Sequence, residues 1–176
     1  WSSDVCSSDL RIGLDDGRVV PIRGGGRVTG KVGRNSIGLV TIQTDEQPLS
    51  NSPSTNFSVV RVKRDVLRRS TVGAFYTRRS ELAVADGANE TFAADGVFSF
   101  FQNLNINSYA ARSKTPGRDG DDVSYRGQLD YNADRYGVQL ERMVVERNFN
   151  PEIGYSRRQD FTRHYAFLRF SPRPKH

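Results

Sequence analysis

The 176-residue chain has one cysteine, Cys6, and two histidines, His164 and His176. A single cysteine excludes an internal disulfide framework and a cysteine-based zinc site. Two histidines leave little for a catalytic metal centre. No run approaches the roughly 18 apolar residues of a membrane-crossing helix. No segment keeps an apolar period of about 3.6 over several turns, which argues against helical bundles and coiled coils. The length fits one domain, or a piece of a larger one.

Residues 1–10, WSSDVCSSDL, have neither a basic nor an apolar region, so they are not a signal peptide. They read as translated adapter sequence and are set apart from the fold. The only Trp and the only Cys go with them. So do Asp4 and Asp9, which leaves 26 basic against 18 of the 20 acidic residues and raises the net charge from +6 to +8. The natural chain is then expected to begin upstream, and its compartment cannot be read from this start.

What remains reads as strands. They are expected at Lys31–Thr44, Asn56–Arg64, Ser70–Arg79, Phe92–Gln102, Asn105–Lys114, Asp122–Tyr131, Arg135–Val145 and Phe161–Phe170. Most have the roughly 9 to 11 residues that a tilted strand needs to cross a bilayer. The connections alternate. Those at 64–70, 102–105 and 131–135 are short, and those at 45–55, 80–91, 115–121 and 146–160 are longer and polar. Outer-membrane meanders have short periplasmic turns and longer outer loops.

The residues also alternate along each strand. Val123, Tyr125, Gly127, Leu129 and Tyr131 share one face, opposite Ser124, Arg126, Gln128 and Asp130. Tyr136, Val138 and Leu140 oppose Gly137, Gln139 and Glu141; Val60 and Val62 oppose Arg61 and Lys63. A side-chain period of two gives each strand one apolar and one charged face. A soluble barrel and a membrane barrel both produce this alternation; strand length and loop asymmetry favour the membrane. Tyr76, Phe92, Tyr109, Tyr125, Tyr131, Tyr136, Phe161 and Phe170 are expected near strand ends, where aromatic girdles would lie.

Several stretches carry a family resemblance. They are Arg11-Ile12-Gly13-Leu14, Gly30-Lys31-Val32-Gly33 with Ser36-Ile37-Gly38, Asp121-Asp122-Val123-Ser124-Tyr125, the run Asn148 to Tyr155 (NFNPEIGY) and the run Leu168 to Pro174 (LRFSPRP). In this order and spacing they resemble bacterial proteins containing domain of unknown function 5916. In that family a carbohydrate-binding family 9-like domain precedes a long β-barrel-like region. The resemblance spans about residues 11–174. It implies an outer-membrane barrel of a Gram-negative-type cell, with sugar binding in a domain that lies outside this chain. It supplies no catalytic residues. The chain departs from the family at both ends, starting inside the barrel region and lacking the terminal aromatic common in outer-membrane barrels. Further strands are therefore expected on both sides.

Candidate chemistry is sparse. Gly24-Gly25-Gly26 lacks phosphate-loop spacing and is expected to be a flexible connection. Asp15-Asp16-Gly17 reads as a tight turn. Asp119, Asp121 and Asp122 form a weak calcium candidate in a polar loop without the twelve-residue calcium-loop pattern. Asp130 and Glu141 on neighbouring strands are more simply ion-pairing groups than a glycosidase pair. His164 reads as structural. Basic residues such as Lys63, Arg64, Arg68 and Arg69 are scattered, with no stacking platform between them, so no nucleic-acid partner is expected.

The resulting expectation is an all-β antiparallel up-and-down meander. Residues 1–10 are the artefact, 11–30 a connection and 31–176 a partial transmembrane β-barrel of about eight strands. Arg61, Lys63, Arg126, Gln128, Asp130, Gln139 and Glu141 are expected to line its lumen electrostatically. The segment is expected to have no resident cofactor and no catalysis, with outer-membrane lipid and a carbohydrate-related ligand as partners. A soluble glycan-binding β-sandwich, or a membrane anchor for an enzyme encoded elsewhere in the parent chain, are the alternatives.

Overall fold

A computed structural model describes residues 14–15, 18–46, 48, 52–81, 87–154 and 158–172. Residues 1–10, and the motif positions Arg11 to Gly13, Tyr155, Arg173 and Pro174, lie outside the described residues. Two short strands, β1 (Leu14–Asp15) and β2 (Arg18–Val19), pair antiparallel on either side of Asp16-Gly17. The tight turn expected at Asp15-Asp16-Gly17 falls on Asp16 and Gly17, which lie outside the described residues.

The rest is one antiparallel meander of nine strands: β3 (Ile22–Val32), β4 (Asn35–Thr44), β5 (Thr55–Leu67), β6 (Ser70–Glu81), β7 (Asn89–Phe100), β8 (Leu104–Lys114), β9 (Val123–Asn132), β10 (Tyr136–Val145) and β11 (Phe161–Phe170). Every strand pairs only with its sequence neighbours. The sheet is not closed, and β3 and β11 are its edges. The eight expected strands are all present, and their number is corrected to nine.

The added strand falls where a connection was expected. Gly24, Gly25 and Gly26 lie inside β3 and pair with β4 rather than forming a loop. A Cβ on Gly25 would sit 2.9 Å from the Thr41 carbonyl oxygen, so glycine permits close approach where the register shifts between Ile22 and Gly24. The sequence expectation also ran one strand through Gly33-Arg34. Those residues are a hairpin turn, with Gly33 at a φ of 59° and Val32 paired to Asn35. A positive φ at the first central position suits glycine and matches the right-handed twist of the flanking strands.

The connections alternate as expected. The segments 33–34, 68–69, 101–103 and 133–135 close one end of the sheet, and 45–54, 82–88, 115–122 and 146–160 span the other. These ends are called the turn end and the loop end. The turn end climbs across the sheet. Asn35 pairs with Arg64, yet β5 runs on to Leu67; Thr71 pairs with Val97, yet β7 runs on to Phe100. Followed through the register, Val32 at the turn end of β3 is level with His164, yet β11 runs on to Phe170. At ~3.3 Å per residue and ~4.8 Å between strands, this inclines the strands by roughly 27°.

Pairing carries the period of two across the sheet and sorts side chains onto two faces. One face holds the buried core of Ala111, Met143 and Val145, with Phe149 of the β10–β11 connection lying on it. We call it the covered face and the other the bare face. The bare face is apolar and open to solvent at Ile37, Leu39, Val62, Phe92, Leu140 and Leu168. Aromatic pairs lie toward both of its ends. Phe98 and Phe100 (ring centroids 6.3 Å apart) and Tyr136 and Phe170 (5.3 Å) lie toward the turn end; Tyr76 and Phe92 (4.8 Å) lie toward the loop end. Two residues expected with them do not join. Tyr109 and Phe161 pack on the covered face against the core, because Tyr109 pairs with Arg126 and Phe161 with Val145.

Candidate functional site

Register places all seven residues expected to line a lumen on the covered face. Arg126 is opposite Met143, Gln128 opposite Glu141, and Asp130 opposite Gln139. Arg61 and Lys63 follow on the same face through Phe75 and Gly73, which connect by way of Ala93 and Asp95 to Ala111 and Tyr109. The seven share a face, but only Arg126, Gln128 and Glu141 come together; Arg61 belongs to a second cluster, and Lys63, Asp130 and Gln139 join neither.

The first cluster centres on Glu141. Arg126 donates from Nε to Glu141 Oε2 at 3.0 Å, and also from Nη2 to the same oxygen. Arg163 of β11 donates from Nε to Oε1 at 2.8 Å. Arg126 Nη2 further reaches Gln128 Oε1 at 2.7 Å. The Arg126 and Glu141 side chains are 9% and 4% exposed, so both charges are largely withdrawn from bulk water. A charge buried this far requires a partner with matching hydrogen bonds, which the two guanidinium groups supply. Arg163 was not foreseen. Its strand, with Tyr165 and Phe167 on the same face, has no clear polar side in the sequence, and the register of β11 on β10 brings it to Glu141.

In the second cluster Arg61 reaches over β6 to Asp95 on β7, with Nη2 2.9 and 3.1 Å from the two carboxylate oxygens. Gly73 opens that path: a Cβ there would lie 2.8 Å from Asp95 Oδ1. Lys31 approaches Asp65 at 3.5 Å over β4 in the same manner. Lys63 is exposed between these pairs.

Beyond these clusters, the β10–β11 connection folds over the loop end of the covered face. Phe149 is 1% exposed, seated on Ala111, Met143 and Val145 with Ala93, Tyr109 and Phe161 around it. Polar bonds hold the segment on both sides. Asn89 donates from Nδ2 to the Asn150 carbonyl at 2.9 Å and to Thr115 Oγ1 at 2.7 Å. The Asn150 amide donates to Ser113 Oγ at 2.8 Å. Arg79 Nη1 lies 2.9 Å from Glu152 Oε2. The Asn148 amide donates to the Asp121 carbonyl at 2.8 Å. Sequence reading singled out the Asn148–Tyr155 stretch as a motif, and offered Asn150 and Glu152 only as further oxygens for the calcium candidate, not as residues that hold the loop on the sheet. Asn89 and Arg79 carried no signal, because periodicity does not say what a loop rests upon.

The acidic loop is engaged by cations. Asp122 is buried, with both carboxylate oxygens 3.0 Å from Arg112 Nε, and Asp121 Oδ2 is 3.8 Å from Arg147 Nη2. Among the described residues no group of three His, Cys, Asp or Glu side chains is arranged to hold a metal ion. His164 lies on the bare face, paired with Arg142.

The arrangement is a wall whose covered side carries the Glu141 and Asp95 ion pairs and whose bare side is apolar over its middle, with a polar group of Gln43, Asn56, Ser58, Arg78 and Glu90 toward the loop end. No protein-family model, curated protein or solved structure matches the chain.

Proposed function

We propose that the chain forms part of the wall of an outer-membrane β-barrel, with the covered face lining a wet lumen and the bare face toward lipid. The observation that carries this reading is the distribution of polarity. The buried Arg126–Glu141 pair lies on the face that a loop covers, while most of the large apolar side chains open to solvent lie on the other, between aromatic pairs. A water-soluble sheet would be stabilised by burying the bare face, because apolar burial is worth roughly 25 cal/mol per Å². A lipid environment provides that burial without a second protein layer, and barrels of this kind turn apolar residues outward and polar residues inward. Strand length and the segregation of long from short connections agree with it.

In this reading the lumen passes or binds a polar solute. Amide, hydroxyl and guanidinium groups along the covered face suit a carbohydrate-related ligand, the class implied by the resemblance to the domain of unknown function 5916 family. The segment contributes electrostatic lining and no catalysis. The Phe149 segment narrows the lumen at its loop end.

The test uses the full-length parent protein expressed in a Gram-negative host. The expected result is retention in carbonate-washed outer membranes and a gel mobility that shifts on boiling. Neutralising Arg61, Lys63 and Arg126 together should lower the anion preference of the reconstituted pore. A carbonate-soluble protein without a boiling shift overturns the membrane reading. Unchanged ion selectivity in a properly inserted triple variant overturns the lining role alone.

A further inference from the structure

We infer that the bare face carries a binding site for the phosphate and acyl chain of an outer-leaflet phosphorylated glycolipid, built on Arg142 and His164; this rests on the membrane reading above. Arg142 is exposed on β10, directly opposite His164 of β11 and Gly127 of β9. Among the described residues no salt bridge engages it. Its guanidinium carbon stands 6.0 Å from the centre of the Tyr125 ring. The strand residues of β8 to β11 on this face include no Asp or Glu. Two cationic or proton-bearing groups therefore sit together with no protein anion between them.

The space beside them has the matching shape. An open cleft of about 570 Å³ lies beside Arg142 and His164, with Gly127, Ile106, Leu129 and Leu140 among its lining residues. Gly127 forms its open floor, since a Cβ built there meets nothing within 4 Å. An apolar groove headed by a guanidinium and an imidazole is complementary to an acyl chain ending in a phosphate.

Depth supports the same occupant. An arginine on the lipid side of a barrel costs roughly 2–4 kcal/mol at the midplane and about 0–1 near the interface. Arg142 stands three residues from the end of β10 that leads into the longest connection, and its guanidinium lies beside the Tyr125 ring, which is two residues nearer that end, opposite Val144. Long loops face outward in this class of barrel. The anion within reach is then an outer-leaflet phosphate, which a guanidinium can bind through two hydrogen bonds.

The experiment uses the full-length protein purified in detergent, with lipid retention read by native mass spectrometry after addition of diphosphorylated lipid A or of phosphatidylglycerol. The expected result is preferential retention of lipid A, falling roughly tenfold in Arg142→Gln/His164→Gln, as loss of a charge-assisted pair implies. Arg142→Lys should keep part of the binding. Gly127→Val fills the cleft and should weaken retention with both cations in place. The boiling-dependent shift of each variant confirms that it is folded. Undiminished retention in a folded double variant overturns the site. Equal retention of phosphatidylglycerol overturns the glycolipid as its ligand. Absence of the boiling shift in the wild-type protein overturns the membrane reading, and this site with it.

Discussion

Glu141 is the residue on which the covered face depends most. It is the shared acceptor for Arg126 and Arg163, and Arg126 is too buried to be solvated if that acceptor is lost. Breaking a buried pair by removing one member costs roughly 3–5 kcal/mol, mostly because the other charge is left uncompensated. Glu141→Ala in the full-length protein should therefore lower stability by about 3 kcal/mol, seen as a lower urea midpoint. Removing Arg126 and Glu141 together should cost less than Glu141→Ala alone, because the one cation left without its acceptor, Arg163, is half exposed and solvated. Lys63 shares the face but stands in the open, and Lys63→Ala should change the midpoint by less than about 0.5 kcal/mol. Equal effects at Glu141 and Lys63 would mean that the covered face is uniformly wet and that the ion-pair cluster has no structural weight.

Single elements show how much was legible in the sequence. The period of two placed Arg61, Lys63, Arg126, Gln128, Asp130, Gln139 and Glu141 on one face, because pairing register preserves parity from strand to strand. It could not see Arg163 meeting Glu141, because the long connection between β10 and β11 leaves their register open. It misread β3, where glycines resemble a linker by composition but pair in the sheet. That misreading has a measurable counterpart. A Cβ at Gly26 meets nothing within 4 Å, whereas one at Gly25 lies 2.9 Å from a backbone oxygen. Gly26→Ala should be neutral or stabilising by up to about 1 kcal/mol, and Gly25→Ala destabilising, in paired urea titrations. The β10–β11 connection was misjudged for another reason. A polar loop with an embedded Phe reads as solvated, yet Phe149 is the most buried large side chain described. Phe149→Ala should cost roughly 3 kcal/mol in local anchoring. Faster amide exchange across 146–154, with β4 to β6 unaffected, would register the release. Uniform acceleration through the sheet would instead make Phe149 a global core residue.

At the scale of the whole molecule the decisive fact is parity. In a meander, strands separated by an even number of steps run the same way, so β3 and β11 are parallel to each other. Closing this sheet edge to edge would require one parallel pair, whereas single-chain bacterial outer-membrane barrels are antiparallel with an even strand count. The membrane reading thus requires at least one further strand between these edges. It also requires that neither edge face lipid unpaired, since each unsatisfied backbone group in hydrocarbon costs several kcal/mol. Nearly every residue of β3 and β11 is exposed in the open sheet, Phe161 excepted. In the full-length protein, the amides of β3 and β11 that point away from β4 and β10 should therefore exchange as slowly as those that point toward them. A 176-residue polypeptide of this sequence alone should show fast exchange at the same amides and no boiling-dependent mobility shift. Fast edge exchange in a membrane-extracted full-length protein would exclude a closed barrel. The apolar bare face would then need a protein partner rather than lipid, and the covered face would open onto bulk water instead of a lumen.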